Sequence, residues 1–268
     1  MILGYEFFQH ALLGGLMASV LCAMVGTYVV TRRMVIVGGG MAHASLGGVG
    51  LAAYLGLNPL LGATAFALLT GWGVDYLSRK QMREDSAIAV LWTLGMAVGI
   101  LFAYLTPGFM NDLSGYLFGD ILAISTGNLW TLALLTVAAL GLFGLLHTAI
   151  KTVAYDRSFA VTQGLPVRWL ERALMALVAL TIVCCLRLVG INMVISLLSL
   201  PQQTAALLTR SFGGMMAASA LIGFLGIVGG LTASYWLSVP CGATIVIILV
   251  VFYIFSRIFT TLKHSAPA

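Results

Sequence analysis

The chain contains very little charge. Only 8% of its 268 residues are Asp, Glu, Lys or Arg, whereas a soluble domain carries about 25% of them. Hydrophobic residues make up 61% of the sequence, which is more apolar surface than a water-soluble fold can hide. The alternating segments of roughly ten residues that a transmembrane β-barrel needs are not visible. The composition therefore predicts an all-α, polytopic transmembrane helical bundle, and we treat residues 1–268 as a single transmembrane domain.

Motifs for several chemistries are also missing. The sequence has no phosphate-binding loop of the form GxxxxGK[S/T], so the chain cannot bind and hydrolyse ATP by that route. It has no HExxH motif, and its four cysteines form no CxxC pair that would indicate a thiolate metal site. The net charge of +5 lies in basic clusters between apolar runs, which indicates membrane topology rather than binding to nucleic acid.

Nine apolar runs approach the length of about 20 residues that a spanning helix needs. They lie at residues 11–31, 41–56, 58–77, 87–106, 129–150, 170–189, 192–209, 213–232 and 241–259. Nine crossings place the basic clusters on one side, with the N-terminus outside and the C-terminus in the cytoplasm. The second run is short and glycine-rich, and the seventh is interrupted at Pro201-Gln202-Gln203. Either is a candidate for a discontinuous segment, so eight crossings are the alternative.

Two of the connections between runs are long. The outer connection, residues 106–128, carries Asp112 and Asp120 and is half apolar in its middle, which predicts a short helix at the outer surface. The inner connection, residues 151–168, predicts a short helix over 156–163 that Gly164 stops, with Pro166 shortly beyond. A short cytoplasmic helix between two spans offers a docking element for a partner.

His43 lies inside the second run, in a glycine-rich stretch that follows the membrane-edge pair Arg32-Arg33. An ionisable group within a span is costly, and its default interpretation is a functional site. Neutral imidazole suits zinc, iron and similar ions, although one imidazole is not a complete metal site. The alternative is a structural histidine that is hydrogen-bonded to a neighbouring helix.

Other polar groups at membrane depth lie in the seventh run and would line the same cavity if this run packs against the second. They are Asn192, Ser196, Ser199, Gln202 and Gln203. Gly39, one helical turn before His43, is a further candidate for lining this cavity.

Several motifs, taken in order, resemble those of the membrane permeases of ABC importers for zinc, manganese and iron. The matching stretches are Arg32-Arg33-Met34 with Gly38 and His43-Ala44, residues 84–88, residues 112–122, Asp156 with residues 164–167, residues 200–205 and residues 234–246. Together they extend over essentially the whole chain, and the ordered set is more specific than any one motif.

The resemblance implies a transport subunit that is not itself an enzyme and that imports a divalent transition metal across the bacterial inner (plasma) membrane. The metal is the cargo, and no cofactor is stably bound. The implied partners are a cytoplasmic ATP-binding subunit, an extracytoplasmic metal-binding protein and a second permease copy in a homodimer. His43 would contact the metal, and Asp112 and Asp120 would belong to the outer gate. The ATPase would dock on Asp156, Phe159, Gly164, Leu165 and Pro166.

The chain departs from the family pattern at Gly39, where the family usually has aspartate. Residues four apart lie on one helical face, so an aspartate there would form a ligand pair with the histidine. Without it, a chelated metal remains an alternative cargo. A secondary transporter that acts alone is the other alternative, but it needs acidic residues within the membrane. Of the eight acidic residues only Asp75, near the end of the third run, is a candidate for such a position.

Overall fold

The computed structural model describes residues 6–108, 115, 116, 119, 121 and 124–265. Within these residues the regular structure is helical. The helices are α1 Glu6–Thr31, α2 Val35–Tyr54, α3 Pro59–Arg79, α4 Glu84–Leu105, α5 Thr126–Leu145, α6 His147–Tyr155, α7 Arg157–Thr162, α8 Val167–Leu197, α9 Leu200–Leu208, α10 Phe212–Leu237 and α11 Cys241–Ser265.

Nine segments of this described part are long and apolar enough to cross a membrane. Helices α1 to α5 supply five of them, and α10 and α11 supply the last two. The sixth span is Val167–Leu186 and the seventh is Val189–Leu208. Near the start of the seventh span, Gly190 has a φ of 73° that interrupts the helical geometry of α8. Glycine adopts this conformation without steric cost, since it has no Cβ. The predicted helical bundle is confirmed, and nine candidate spans agree with the predicted number of crossings.

Helix α2 is largely buried within the bundle, as is α1. A Cβ added to Gly48 would overlap the carbonyl group of Gly62 in α3, and one added to Gly50 would overlap Gly99 in α4. Glycines on facing helices allow this close approach. The second run was predicted to begin at residue 41 and was a candidate for a discontinuous segment. That prediction was wrong: α2 is one continuous helix from Val35, because packing against its neighbours offsets the low helix propensity of glycine.

The predicted interruption of the seventh run is confirmed, at a slightly earlier position. Helix α8 ends at Leu197 and α9 begins at Leu200. Pro201 therefore lies in the first turn of α9, where its missing N–H group leaves no helical hydrogen bond unmade. The break falls at residues 198–199, before the proline.

Five arginines from separate parts of the sequence meet at one end of the bundle, which we call the basic end. Arg32 follows α1, Arg79 ends α3, Arg157 begins α7, and Arg168 and Arg172 lie in the first turns of α8. All five line a cavity of about 490 Å³. The predicted placement of these basic clusters on a common side is therefore confirmed.

The short inner helix is also confirmed, as α7. The Asp156 side chain caps it, because its Oδ1 accepts a hydrogen bond from the Phe159 N–H at 2.9 Å. Gly164, with a φ of 72°, ends the turn that follows. The predicted outer-surface helix falls mostly outside the described residues, as do Asp112 and Asp120.

Candidate functional site

The imidazole ring of His43 in α2 stacks on the indole ring of Trp92 in α4. The ring centroids are 4.6 Å apart and the ring planes differ by 12°. Both residues lie eight positions after the first residue of their helix, at matching depth in the bundle. Trp92 also donates a hydrogen bond from Nε1 to Met96 Sδ at 3.0 Å. The stack therefore covers one face of the imidazole and holds the plane of the ring.

The Nδ1 atom of His43 is buried and forms no hydrogen bond within the described part of the chain. A structural histidine in a bundle normally uses its buried nitrogen to bond a neighbouring helix. Here that nitrogen has no such partner within the described residues, and a ligand role for His43 stays a prediction. A neutral imidazole nitrogen of this kind is a common donor to borderline divalent metals.

The position of Gly39 has room for a side chain. A Cβ built there would have Ile195 Cδ1 as its nearest neighbour, at 3.8 Å, which is ordinary van der Waals contact. The contact also shows that the seventh span packs against α2 beside His43. Among the described residues no group of three or more His, Cys, Asp and Glu side chains could hold a metal ion. This part of the chain therefore offers single donors rather than a preformed metal site.

Three of the predicted cavity residues follow Gly190 in the seventh span. Asn192 is exposed and accepts a hydrogen bond at its backbone oxygen from Ser196 Oγ at 2.8 Å. Ser199 is buried, and its Oγ donates to the backbone oxygen of Ile195 at 2.8 Å. Asn192 lies about one helical turn before Ile195, whose side chain is turned towards Gly39, and Ser199 lies just beyond the end of α8. The structure brings this part of the seventh span next to α2, and a role for these residues in a transport path stays a prediction.

The other two predicted cavity residues, Gln202 and Gln203, lie in α9. Gln202 is fully buried, and its Nε2 donates to the backbone oxygens of Cys22 at 2.8 Å and Leu197 at 3.0 Å. It thus ties α9 to α1 and lines no open space in this conformation. Its Oε1 is buried without a hydrogen bond in the described part of the chain. Gln203 is half-buried.

The predicted docking residues surround α7 at the basic end. Phe159 is 52% exposed and projects from the helix. Leu165 is half-buried, and its N–H closes the turn on the backbone oxygen of Ala160 at 3.2 Å. Pro166 directly precedes α8. The structure therefore gathers these residues on one short helix and its C-terminal turn, with a large apolar side chain left uncovered.

Two residues that the sequence did not single out have defined positions here. Trp92 carries no sequence signal, because only helix packing places it against His43. Glu171 had a weak signal, since it is the last acidic residue of the chain and lies between Arg168 and Arg172. In the structure its carboxylate accepts from Arg32 and Arg157 at the basic end.

Nine candidate spans within the described residues, bundled around α2 and joined by a short helix between two of them, are the architecture of a membrane permease. The sequence profile of the ABC 3 transport family matches residues 4–260, and the chain belongs to this family. Membership makes the chain the membrane component of an ABC transporter, which works with an ATPase and a substrate-binding partner.

Similar proteins match over nearly the full chain. An uncharacterized membrane protein of Synechocystis is 40% identical over 258 residues, which cover 96% of this chain and 92% of that protein. The manganese transport system membrane protein MntC of Halalkalibacterium halodurans is 31% identical over 248 residues, 92% of this chain and 85% of that protein. Among solved structures, PsaBC from Streptococcus pneumoniae in complex with Fab superposes with a TM-score of 0.86 at 28% identity, covering 95% and 92% of the two chains.

Proposed function

We propose that this chain is the permease of an ABC importer for a divalent transition metal ion, with manganese ahead of zinc and iron. The observation that carries the proposal is His43, which places an uncommitted imidazole nitrogen at membrane depth. The similarity to a manganese transport system membrane protein supports manganese as the first metal to test. The metal is cargo, and no cofactor is stably bound.

A single donor suits a transport path, because an ion must bind well enough to enter and weakly enough to leave. In the proposed cycle, closure of the ATP-binding subunits moves α7, and the helices around His43 rock between outward and inward openings. Water, the polar groups of the seventh span and a second copy of the chain would complete the coordination of the ion. The outer connection with Asp112 and Asp120 would gate the entrance.

The basic end would face the cytoplasm, as the positive-inside rule requires. The chain would then lie in the bacterial inner membrane with its N-terminus outside and its C-terminus in the cytoplasm. This orientation presents Phe159 and the turn at Gly164 to the ATP-binding subunit, which carries out all ATP hydrolysis. An extracytoplasmic metal-binding protein would deliver the ion to the opposite end.

The test is metal uptake into proteoliposomes that contain the chain with its cognate ATPase and binding protein. We expect ATP-dependent uptake of manganese that exceeds uptake of zinc and iron. Uptake that proceeds without ATP would instead favour a secondary transporter. The structure disfavours that alternative, because Arg79 binds the Asp75 carboxylate through Nε at 3.1 Å and Nη2 at 3.0 Å. Asp75 is therefore an ion-pair partner rather than a free proton carrier.

The variant Trp92→Ala is expected to raise the manganese concentration for half-maximal uptake about fivefold, because stacking is worth roughly 1 kcal/mol. Without the indole, the His43 ring rotates and loses its preferred orientation. Uptake titrations in the same vesicles measure the effect. Trp130→Ala removes an equally large ring from an exposed position in α5 and should leave uptake unchanged. An unaltered titration for Trp92→Ala would contradict the positioning role.

Gly39→Asp is expected to change the order of metal preference by roughly tenfold or more, because it adds a carboxylate one turn from His43. The space beside Ile195 admits the side chain. Competition uptake with manganese, zinc and iron measures the change, and Gly39→Asn controls for size without charge. Equal preferences in Gly39→Asp and the native chain would argue against a metal path beside this position.

The absence of a carboxylate at Gly39 also favours a second candidate cargo, a chelated metal. A chelate brings its own ligands and needs fewer from the protein. Native vesicles that take up ferric citrate but no free ion would support this alternative. In that case Gly39→Asp is expected to gain uptake of the free ion.

A further inference from the structure

We propose that Glu171 is a positioning residue that transmits the movement of α7 to the helix that carries His43. This inference rests on the proposed function and extends it to the coupling of ATP hydrolysis to transport. One oxygen of its carboxylate, Oε1, accepts from Arg157 Nε at 2.9 Å and from Arg32 Nη2 at 3.2 Å. A single atom therefore joins α7, α8 and the end of α1.

The three side chains differ in how far they are shielded from water. The Glu171 side chain is 15% exposed and that of Arg32 is 24% exposed, whereas that of Arg157 is 47% exposed. Exposed ion pairs contribute little to stability. When a shielded ion pair loses one partner, however, the remaining charge is costly to keep buried. The ion pair between Glu171 and Arg32 is therefore the more costly of the two to break. The more exposed ion pair, between Glu171 and Arg157, connects Glu171 to α7.

Arg32 is held at several points. Its Nη1 lies 3.5 Å from the backbone oxygen of Val153 in α6, which directly precedes the docking helix. Its Nε is buried and has no hydrogen-bond partner among the described residues. The guanidinium thus depends on Glu171 for its charge pairing, and displacement of Glu171 would require Arg32 to follow.

The chain from Arg32 to His43 is short and stiff. Arg33 adopts a left-handed conformation with a φ of 59°, and α2 begins two residues later at Val35. His43 lies eight residues into α2, about 12 Å along the helix axis at 1.5 Å per residue. The glycines of α2 pack directly on the backbones of α3 and α4, so a shift of α2 would displace its neighbours as well.

The path therefore runs from α7 through Arg157, Glu171 and Arg32 to α2. A chain of contacting side chains and rigid helices of this kind can carry energetic coupling between two sites. Arg168 offers a matched control, since it lines the same cavity and forms no ion pair in the described part of the chain.

The experiment compares Glu171→Gln, Arg157→Gln and Arg168→Gln in proteoliposomes of the full transporter. Three quantities are measured in each: basal ATP hydrolysis, hydrolysis stimulated by the metal-loaded binding protein, and manganese uptake per ATP hydrolysed. Glutamine keeps the size and shape of the glutamate side chain, but it removes the charge and replaces one carboxylate oxygen with an NH2 donor. We expect Glu171→Gln to assemble and to hydrolyse ATP at the native basal rate, but to lose stimulation and uptake per ATP by about fivefold or more.

Arg157→Gln is expected to show the same defect, and the double variant to be no worse than Glu171→Gln, because residues of one network are not additive. Arg168→Gln is expected to match the native complex. Native uptake per ATP in Glu171→Gln, an equal loss in Arg168→Gln, or failure of Glu171→Gln to assemble would each overturn the inference. If the binding protein stimulates ATP hydrolysis by the native complex but no manganese is taken up, the proposed cargo is wrong. The stimulation of ATP hydrolysis in Glu171→Gln then still tests the coupling.

Discussion

Replacing His43 with alanine is expected to reduce ATP-dependent manganese uptake by about tenfold or more, since loss of a ligand costs at least as much as loss of a residue that supports one. In the proposed path the imidazole is the donor that α2 presents at this depth, and its Nδ1 has no hydrogen-bond partner within the described residues. Alanine removes the imidazole that stacks on Trp92 and supplies no nitrogen that could bind the metal in its place. Uptake of labelled manganese into proteoliposomes measures the effect.

The control for this variant is another histidine. His147 begins α6 and packs edge-to-face on Phe212 with ring centroids 5.8 Å apart. His147→Ala removes another imidazole that packs on an aromatic ring, outside α2, and we expect its uptake to stay near the native rate. Native uptake by His43→Ala in an assembled complex would show that the ion does not use this residue.

Replacing Gly48 with alanine is expected to destabilise the chain by about 3 kcal/mol or more, at the upper end for overpacked cores. The added methyl group would overlap the carbonyl group of Gly62, and backbone cannot rotate away as a side chain does. The helices α2 and α3 must therefore separate, which also displaces His43. The yield of monodisperse protein and its thermal midpoint in detergent measure the loss.

Gly144 provides the matched control. It lies near the end of α5, where an added Cβ meets nothing within 4 Å. Gly144→Ala is therefore expected to leave the thermal midpoint unchanged or to raise it slightly, because alanine is the better helix former. Equal midpoints for Gly48→Ala and Gly144→Ala would show that α2 and α3 do not approach as closely as described.

The number of candidate spans and the common side of the basic clusters were accessible from the sequence, because the membrane imposes simple rules on composition. A span needs a length of apolar residues, and basic residues gather on one side, so both signals can be counted. The short helix α7 was accessible for a similar reason, since Asp156 and Gly164 act on their own neighbours in the chain. The extent of α2 could not be predicted from the sequence, because packing against neighbouring helices offset the low helix propensity of its glycines.

The sequence by itself determined the helical class and the common side of the basic clusters, and it predicted a role for His43, because each depends on local composition or on the cost of charge in a membrane. The tertiary structure alone decided what surrounds these residues. It stacked Trp92 on His43, enclosed Gln202 against α1 and joined Arg32 to Arg157 through Glu171. These contacts join residues far apart in the chain, and the close approach of helices that creates them follows from packing across the whole bundle.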